Sequence, residues 1–136
     1  MTSLRYQLDT NICIYIAKQH PPAVAMRFAK LPPGSVGMSL ITFGELRFGA
    51  EKSQHQARAL ETLDRLRELI PVLEMQDGVG EAYGRLRAQL ERAGTPIGNN
   101  ELWIAAHALH LGVTLVSNNT REFERVPELK LENWAL

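Results

Sequence analysis

The chain has 136 residues and a mass of 15.2 kDa, 45% of it hydrophobic and 22% charged, with 15 Lys and Arg balancing 15 Asp and Glu. That is the size and composition of one globular domain, read here as residues 1–136, and it excludes a disordered or fibrous protein. The longest apolar runs, such as Trp103-Ile104-Ala105-Ala106, fall far short of the ~20 residues that a membrane span needs. The stretch Met1-Thr2-Ser3-Leu4-Arg5-Tyr6-Gln7 carries no apolar core of a signal peptide. A single cysteine, Cys13, supports neither an internal disulfide nor a zinc cluster. A cytoplasmic protein without membrane contact is expected. Zero net charge argues against a broad nucleic-acid-gripping surface, although 11 of the 15 basic residues are Arg, the side chain that grips phosphates and carboxylates bidentately.

In chain order, Tyr6-Gln7-Leu8 reads as a short strand feeding a helix on which Ile12, Tyr15 and Ile16 share a face. Asp9 sits at the junction. Pro21-Pro22 opens a second helix that Pro32-Pro33-Gly34 ends. Val36 to Ile41 is a buried strand, and Thr42-Phe43-Gly44-Glu45 has the spacing of a capping box opening the next helix. Leu60, Leu63, Leu66 and Ile70 form an apolar helical stripe. Pro71-Val72-Leu73 is a short strand, and Asp77 caps a helix running to Ala93. After the turn-rich Gly94–Gly98, Asn99 or Asn100 caps a helix from Glu101 to about Leu111. Val113 to Ser117 is the most strand-like run, and Leu129-Lys130-Leu131 adds an edge strand. This alternation predicts an α/β fold, a three-layer α/β/α sandwich around a mostly parallel sheet.

Open parallel sheets bind ligands beyond the C-terminal ends of their strands. Four polar clusters fall there: Asp9-Thr10-Asn11, Glu45, Glu101, and Ser117-Asn118-Asn119 with Glu122 following. Each has a plain structural reading. Asp9 and Glu45 suit helix caps, Glu101 suits a helix N-terminal dipole, and Asn119 and Glu122 suit a loop. Their concurrence points to a site. Converging carboxylates repel unless a cation joins them, and hard oxygen donors without His or Cys favour Mg²⁺, or Mn²⁺ as the alternative. The chemistry supported is phosphoester hydrolysis by an activated water.

The segments Leu8-Asp9-Thr10-Asn11-Ile12, Ile41 to Ala50, Ile97 to Ala108 and Leu115 to Phe123 together resemble the PIN domain of VapC-type toxins, in the same order and over residues 4 to 134. The resemblance implies a PIN-like fold and a Mg²⁺-dependent endoribonuclease, the toxin of a toxin–antitoxin pair. It implies that Asp9 and Glu101 ligate the metal, that Glu45 helps hold the ion and orient water, and that Asn119 stands where many PIN domains have Asp. Thr10, Asn11, Ser117 and Glu122 are then supporting groups. It further implies a VapB-type antitoxin, a toxin homodimer, a larger complex that binds promoter DNA through the antitoxin, and a structured RNA substrate, with the anticodon region of initiator tRNA suggested by analogy.

One position departs from the pattern. Glu101 stands where the family motif has Asp, which lengthens the carboxylate arm by one methylene, and Mg²⁺ tolerates geometric error poorly. Weakened metal binding is expected. A rival reading is a catalytically silent PIN-fold module that only binds its antitoxin, and a third is a small-molecule phosphohydrolase. Arg47, Lys52, Arg85, Arg87 and Arg92 are candidates for meeting RNA phosphates, and Trp103 for stacking a base. Solvated surface and core packing explain these residues as well. The apolar residues Ile12, Tyr15, Phe43, Leu46 and Phe48 suit a partner surface or the core. His107 and His110 are expected at the surface or behind the residues that line a site, and Gly78 to Gly84 lacks the spacing of a phosphate loop.

Overall fold

The computed structural model describes residues 3–136, so Met1 and Thr2 of the stretch read for a signal peptide lie outside it. Strand β1 (Tyr6–Leu8) runs into α1 (Thr10–Lys18) and α2 (Pro22–Ala29). There follow β2 (Val36–Ser39), α3 (Leu40–Glu51), α4 (Gln56–Leu69), β3 (Val72–Leu73), α5 (Asp77–Ala93), α6 (Asn99–Leu111), β4 (Thr114–Val116), α7 (Thr120–Phe123) and β5 (Leu131–Glu132). The sheet order is β3-β2-β1-β4-β5, and every pairing is parallel. Both faces of such a sheet are covered by helices, and the three-layer expectation holds.

One core layer joins Leu8, Met38 and Val36 of the sheet to Ile12, Ile16, Val24, Leu63 and Leu66 from α1, α2 and α4. The other joins Leu115 to Leu86 and Leu90 of α5, Leu102 and Ile104 of α6, and Phe123 of α7. Cys13 is fully buried in the first layer, as its place on the apolar face of α1 predicts. Ile12 is also fully buried, whereas Tyr15, Phe43 and Leu46 are partly buried against the same core. Phe48 is 65% exposed and is the one residue of that group that stands mainly in solvent.

Several boundaries differ from expectation. Strand β2 ends at Ser39 and the helix begins at Leu40, because the Ser39 hydroxyl accepts the Ile41 N–H at 3.2 Å and caps α3. Thr42 and Glu45 therefore form no capping box; Thr42 is a buried residue inside the helix. Asp77 is the first residue of α5 behind a Gln76 cap that makes no side-chain bond. Gly98, not an asparagine, caps α6, which places Asn99 and Asn100 in the first turn and Glu101 at its third position. Residues 120–123, read as loop, form the short helix α7. The edge strand starts two residues later than expected and ends one later, at Leu131–Glu132.

His107 overturns its surface reading. It is fully buried, with Nδ1 3.0 Å from the Ser39 hydroxyl and Nε2 3.0 Å from the Glu74 carbonyl. A carbonyl only accepts, so Nε2 carries the proton and Nδ1 accepts from Ser39. His110 does lie exposed, on the turn of α6 that packs against Gly78.

Candidate active site

Because every strand is parallel, Asp9 after β1, Ser39 at the end of β2 and Ser117 after β4 emerge on one edge of the sheet. Asp9, Thr10, Asn11, Glu45, Glu101, Ile104, Asn119 and Phe123 line a hollow of about 190 Å³ there. All four residues read as catalytic thus share one pocket. No Lys or Arg is among its lining residues.

Asp9 is nearly buried, at 6% exposure. Its Oδ1 accepts the Ile12 N–H at 3.2 Å, capping α1, and its Oδ2 accepts the Ser117 hydroxyl. Burial pushes its pKa up from 3.8 to about 6; these two hydrogen bonds oppose the shift, and the charges of Glu45 and Glu101 add to it. Near neutral pH the site therefore holds a carboxylate that has lost most of its water and meets no basic side chain in the hollow, which is costly for a lone charge.

Glu45 reaches the same hollow from α3. Its Oε1 accepts the Thr10 hydroxyl at 2.5 Å, and its Oε2 accepts from Asn100 Nδ2 at 3.3 Å. These contacts span 35 and 55 residues of sequence, so the local capping pattern around Glu45 carried no information about them. Asn11 donates to Asn118 Oδ1 at 3.3 Å, and Asn118 donates to the Tyr15 hydroxyl at 2.7 Å. Ser117 is fully buried and takes the Asn119 N–H at 2.9 Å while donating to Asp9.

Glu101 is placed differently from its neighbours. Its Oε2 lies against the Cα side of Gly98, in the space that a Cβ at that residue would fill. Gly98 is itself held by Glu122, whose Oε1 accepts the Gly98 N–H at 3.0 Å and whose Oε2 accepts from Asn119 Nδ2 at 2.7 Å. Those two bonds keep the Glu122 carboxyl below its ordinary pKa. Glu122 thus ties α7 to the N-terminus of α6, and its carboxylate is engaged outside the hollow. A chain of contacts runs from Asp9 through Ser117, Asn119 and Glu122 to Gly98.

Among the described residues, no three Asp, Glu, His or Cys side chains are drawn together as a ready-made metal cluster. The donor set nonetheless fits a hard divalent cation in chemistry. It is all oxygen, it includes a desolvated carboxylate with a raised pKa, and no basic side chain neutralises it. Asp9 and Glu101 would hold such an ion, with Glu45 beside them.

The basic candidates do not enter this hollow. Arg47 pairs with Glu51 at 2.6 Å. Lys52 lies 4.9 Å above the Phe48 ring, beside an adjoining hollow that also reaches Glu45 and Asn100. Arg87 donates to Glu91 at 2.8 Å and to the Tyr83 hydroxyl at 3.0 Å, and Tyr83 in turn donates to Asn99 at 2.5 Å. Arg85 and Arg92 are exposed on α5, on a flank roughly 200° round the helix from Arg87. Trp103 is half-buried and stacks on Tyr83, ring centroids 3.9 Å apart. One ring face is thereby committed to packing between α5 and α6.

A five-stranded parallel sheet of this order with carboxylates gathered at its carboxyl edge defines a class of α/β domain, and the family model described as PIN domain matches residues 6–129. Ribonuclease VapC2 of Haemophilus influenzae is 42% identical over 132 residues, covering 97% of this chain and 99% of that protein. The tRNA(fMet)-specific endonuclease VapC of Shigella flexneri is also 42% identical, with the same coverage of both chains. The crystal structure of DNA-bound VapBC from Salmonella typhimurium superposes with a TM-score of 0.90 at 39% identity, over 96% of this chain and 98% of that one. The chain belongs to the PIN-domain family, among the VapC ribonucleases.

Proposed function

We propose that this protein is an endoribonuclease toxin of a VapBC-type pair, dependent on Mg²⁺ or Mn²⁺, acting in the cytoplasm on structured RNA. The substrate is tRNA, with initiator tRNA indicated by the name of the Shigella flexneri relative and its anticodon region carried over from the family resemblance alone. The observation that carries the reading is the single hollow lined by Asp9, Glu45 and Glu101 without a basic side chain. A bound divalent cation would offset the charge of those carboxylates and of a phosphoryl oxygen, and activate water.

The chain's own groups supply the rest. Ser117 orients Asp9 through Oδ2, leaving the Ile12 N–H on Oδ1. Thr10 and Asn100 each donate to one oxygen of Glu45, which on this reading helps hold the ion and orients the attacking water. Asp9 is buried, in a hollow that the apolar Ile104 and Phe123 also line, which keeps the local dielectric low, so charges here act strongly. Attack by water leaves a 5′-phosphate and a 3′-hydroxyl.

A VapB-type antitoxin as partner is supported by the VapBC complex that this fold matches, and DNA binding by such a complex by its DNA-bound state; promoter DNA as the target and the antitoxin as the part that holds it belong to the proposal. We take the toxin to be a homodimer within that complex. Of the basic candidates, Lys52 borders a hollow that shares Glu45 with the site and Arg87 one that reaches Asn99 of α6, so these two are the ones we expect to meet RNA; Lys18 and Arg58 line a further hollow that shares Thr10 and Glu45 with the site.

A second reading is favoured by Glu101, whose carboxylate packs on Gly98. On that reading the chain is a catalytically silent module that binds its antitoxin. Incubating total tRNA with the antitoxin-free protein, in Mg²⁺ and in EDTA, separates the two. Discrete fragments that need Mg²⁺ and are lost in Asp9→Ala support the nuclease; no fragments from the wild type, but fragments from Glu101→Asp, locate the lesion at position 101. Silence from both supports the binding module.

A further inference from the structure

Gln7 lies in the middle of β1, in the centre of the sheet, and is fully buried. Its Nε2 donates to the Ile104 carbonyl of α6 at 2.9 Å, a contact across 97 residues. Its Oε1 has no hydrogen-bond partner among protein groups. The register explains why: Gln7 sits beside Gly37 on β2 and Leu115 on β4, and neither side chain offers a donor. An apolar side chain would fill this place without leaving an acceptor unpaired, and buried unpaired acceptors are rare and unfavourable.

What the amide does is join two elements of the acidic hollow. Alternation along an extended chain puts Gln7 on the same face of β1 as Asp9, two residues on. Ile104 lies three residues after Glu101, one turn along α6, and lines the same hollow as Asp9 and Glu101. The bond therefore pins the first turns of α6 to the strand directly beneath Asp9.

We infer that Gln7 is a positioning residue of the acidic site, its side-chain amide holding α6 against β1 and so fixing the spacing of the two backbone elements from which Glu101 and Asp9 would reach a divalent cation. The inference rests on the metal-site reading proposed above and adds to it a residue that touches neither cation nor RNA. Groups that orient a metal's carboxylates commonly carry tenfold or larger effects on affinity.

The test compares Gln7→Met, close in volume and apolar, and Gln7→Leu with the wild type in the antitoxin-free protein. Free Mn²⁺ is followed by electron paramagnetic resonance to give its Kd, and thermal unfolding without metal gives Tm. The expected result is a split: Tm at or above the wild-type value, because the unpaired Oε1 is gone, with Mn²⁺ binding weakened roughly tenfold or more. A merely structural glutamine would lower Tm and leave Mn²⁺ binding by the folded protein unchanged. Mn²⁺ affinity within about twofold of wild type in both variants would overturn the inference, and so would failure of both to fold. Absence of Mn²⁺ binding by the wild type is a separate outcome, which removes the metal-site reading and this inference with it.

Discussion

Glu101 and Gly98 share one small space: the carboxylate of the third residue of α6 occupies the position where its capping residue would carry a Cβ. The longer arm of glutamate, compared with the aspartate of the family pattern, has folded toward its own helix N-terminus, where the dipole favours a negative charge. Two substitutions follow from this contact. Glu101→Asp shortens the arm and is expected to raise Mg²⁺ affinity and RNA cleavage by roughly tenfold or more, since displacements near 1 Å can cost about 100-fold in a catalytic site. No gain on either measurement would refute the expectation.

Gly98→Ala approaches the same relationship from the other side. Gly98 has φ −58° and ψ 153°, which alanine adopts freely, and the obstacle is the far end of a flexible side chain. Stability within about 1 kcal/mol of the wild type is expected, together with a larger Tm gain on adding Mg²⁺, as the displaced carboxylate turns to the hollow. Calorimetry with and without Mg²⁺ checks both parts.

Asp9 sets a pH dependence whose sign is unusual for a carboxylate. Its folded pKa, about 6, is above the ordinary 3.8. The native protein binds the extra proton, so this group's stability contribution is full below pH ~4 and is lost as pH rises through about 6. At pH 7.5 the ionised side chain costs on the order of 2–3 kcal/mol. Asp9→Asn keeps one acceptor for the Ile12 N–H, and its amide nitrogen donates to the Ser117 oxygen once that hydroxyl turns away, so without metal it is expected to be more stable than wild type at pH 7.5 and equal to it near pH 4. Urea unfolding at both values tests this; a less stable Asp9→Asn at pH 7.5 would count against the buried-charge account.

His107 acts in the opposite sense. Burial lowers its pKa, so its contribution is present above the ordinary value of 6.5 and is lost as pH falls through the folded value. His107→Ala removes the partner of Ser39 and of the Glu74 carbonyl and opens a cavity. A loss of about 2–4 kcal/mol is expected in denaturant unfolding at pH 7.5. A loss below about 1 kcal/mol would mean that the network is not holding α3, α6 and the β3–α5 loop together.

Much of this was legible in the residues. Alternating strand and helix patterns give the sheet, and Asp9 and Ser117 fall at strand ends because parallel topology places all such ends together. The fourfold concurrence of polar clusters located the hollow that Asp9, Glu45, Glu101 and Asn119 line. What stayed hidden depends on long-range contacts. The apolar run Val36–Ile41 masks the switch from strand to helix at Ser39, because Leu40 and Ile41 suit either. Glu45 looked like a cap because its true partners are distant in sequence. His107 sits within the buried run from Ile104 to Ala108, and a helix apolar on all sides is the signal that would have placed it inside. Gln7 carried a comparable signal: parallel strands are covered on both faces, so any polar residue in β1 is buried.

Hydrolysis of RNA by water at the Asp9 hollow is read from the ends of the fragments it makes. Total tRNA is cleaved by the antitoxin-free protein, and the new ends are mapped by sensitivity to phosphatase, kinase and ligase. The expected products are 5′-phosphate and 3′-hydroxyl ends that appear only with Mg²⁺ or Mn²⁺ and only with Asp9 intact. Cyclic 2′,3′-phosphate ends, or cutting that persists in EDTA or in Asp9→Ala, would contradict this mechanism.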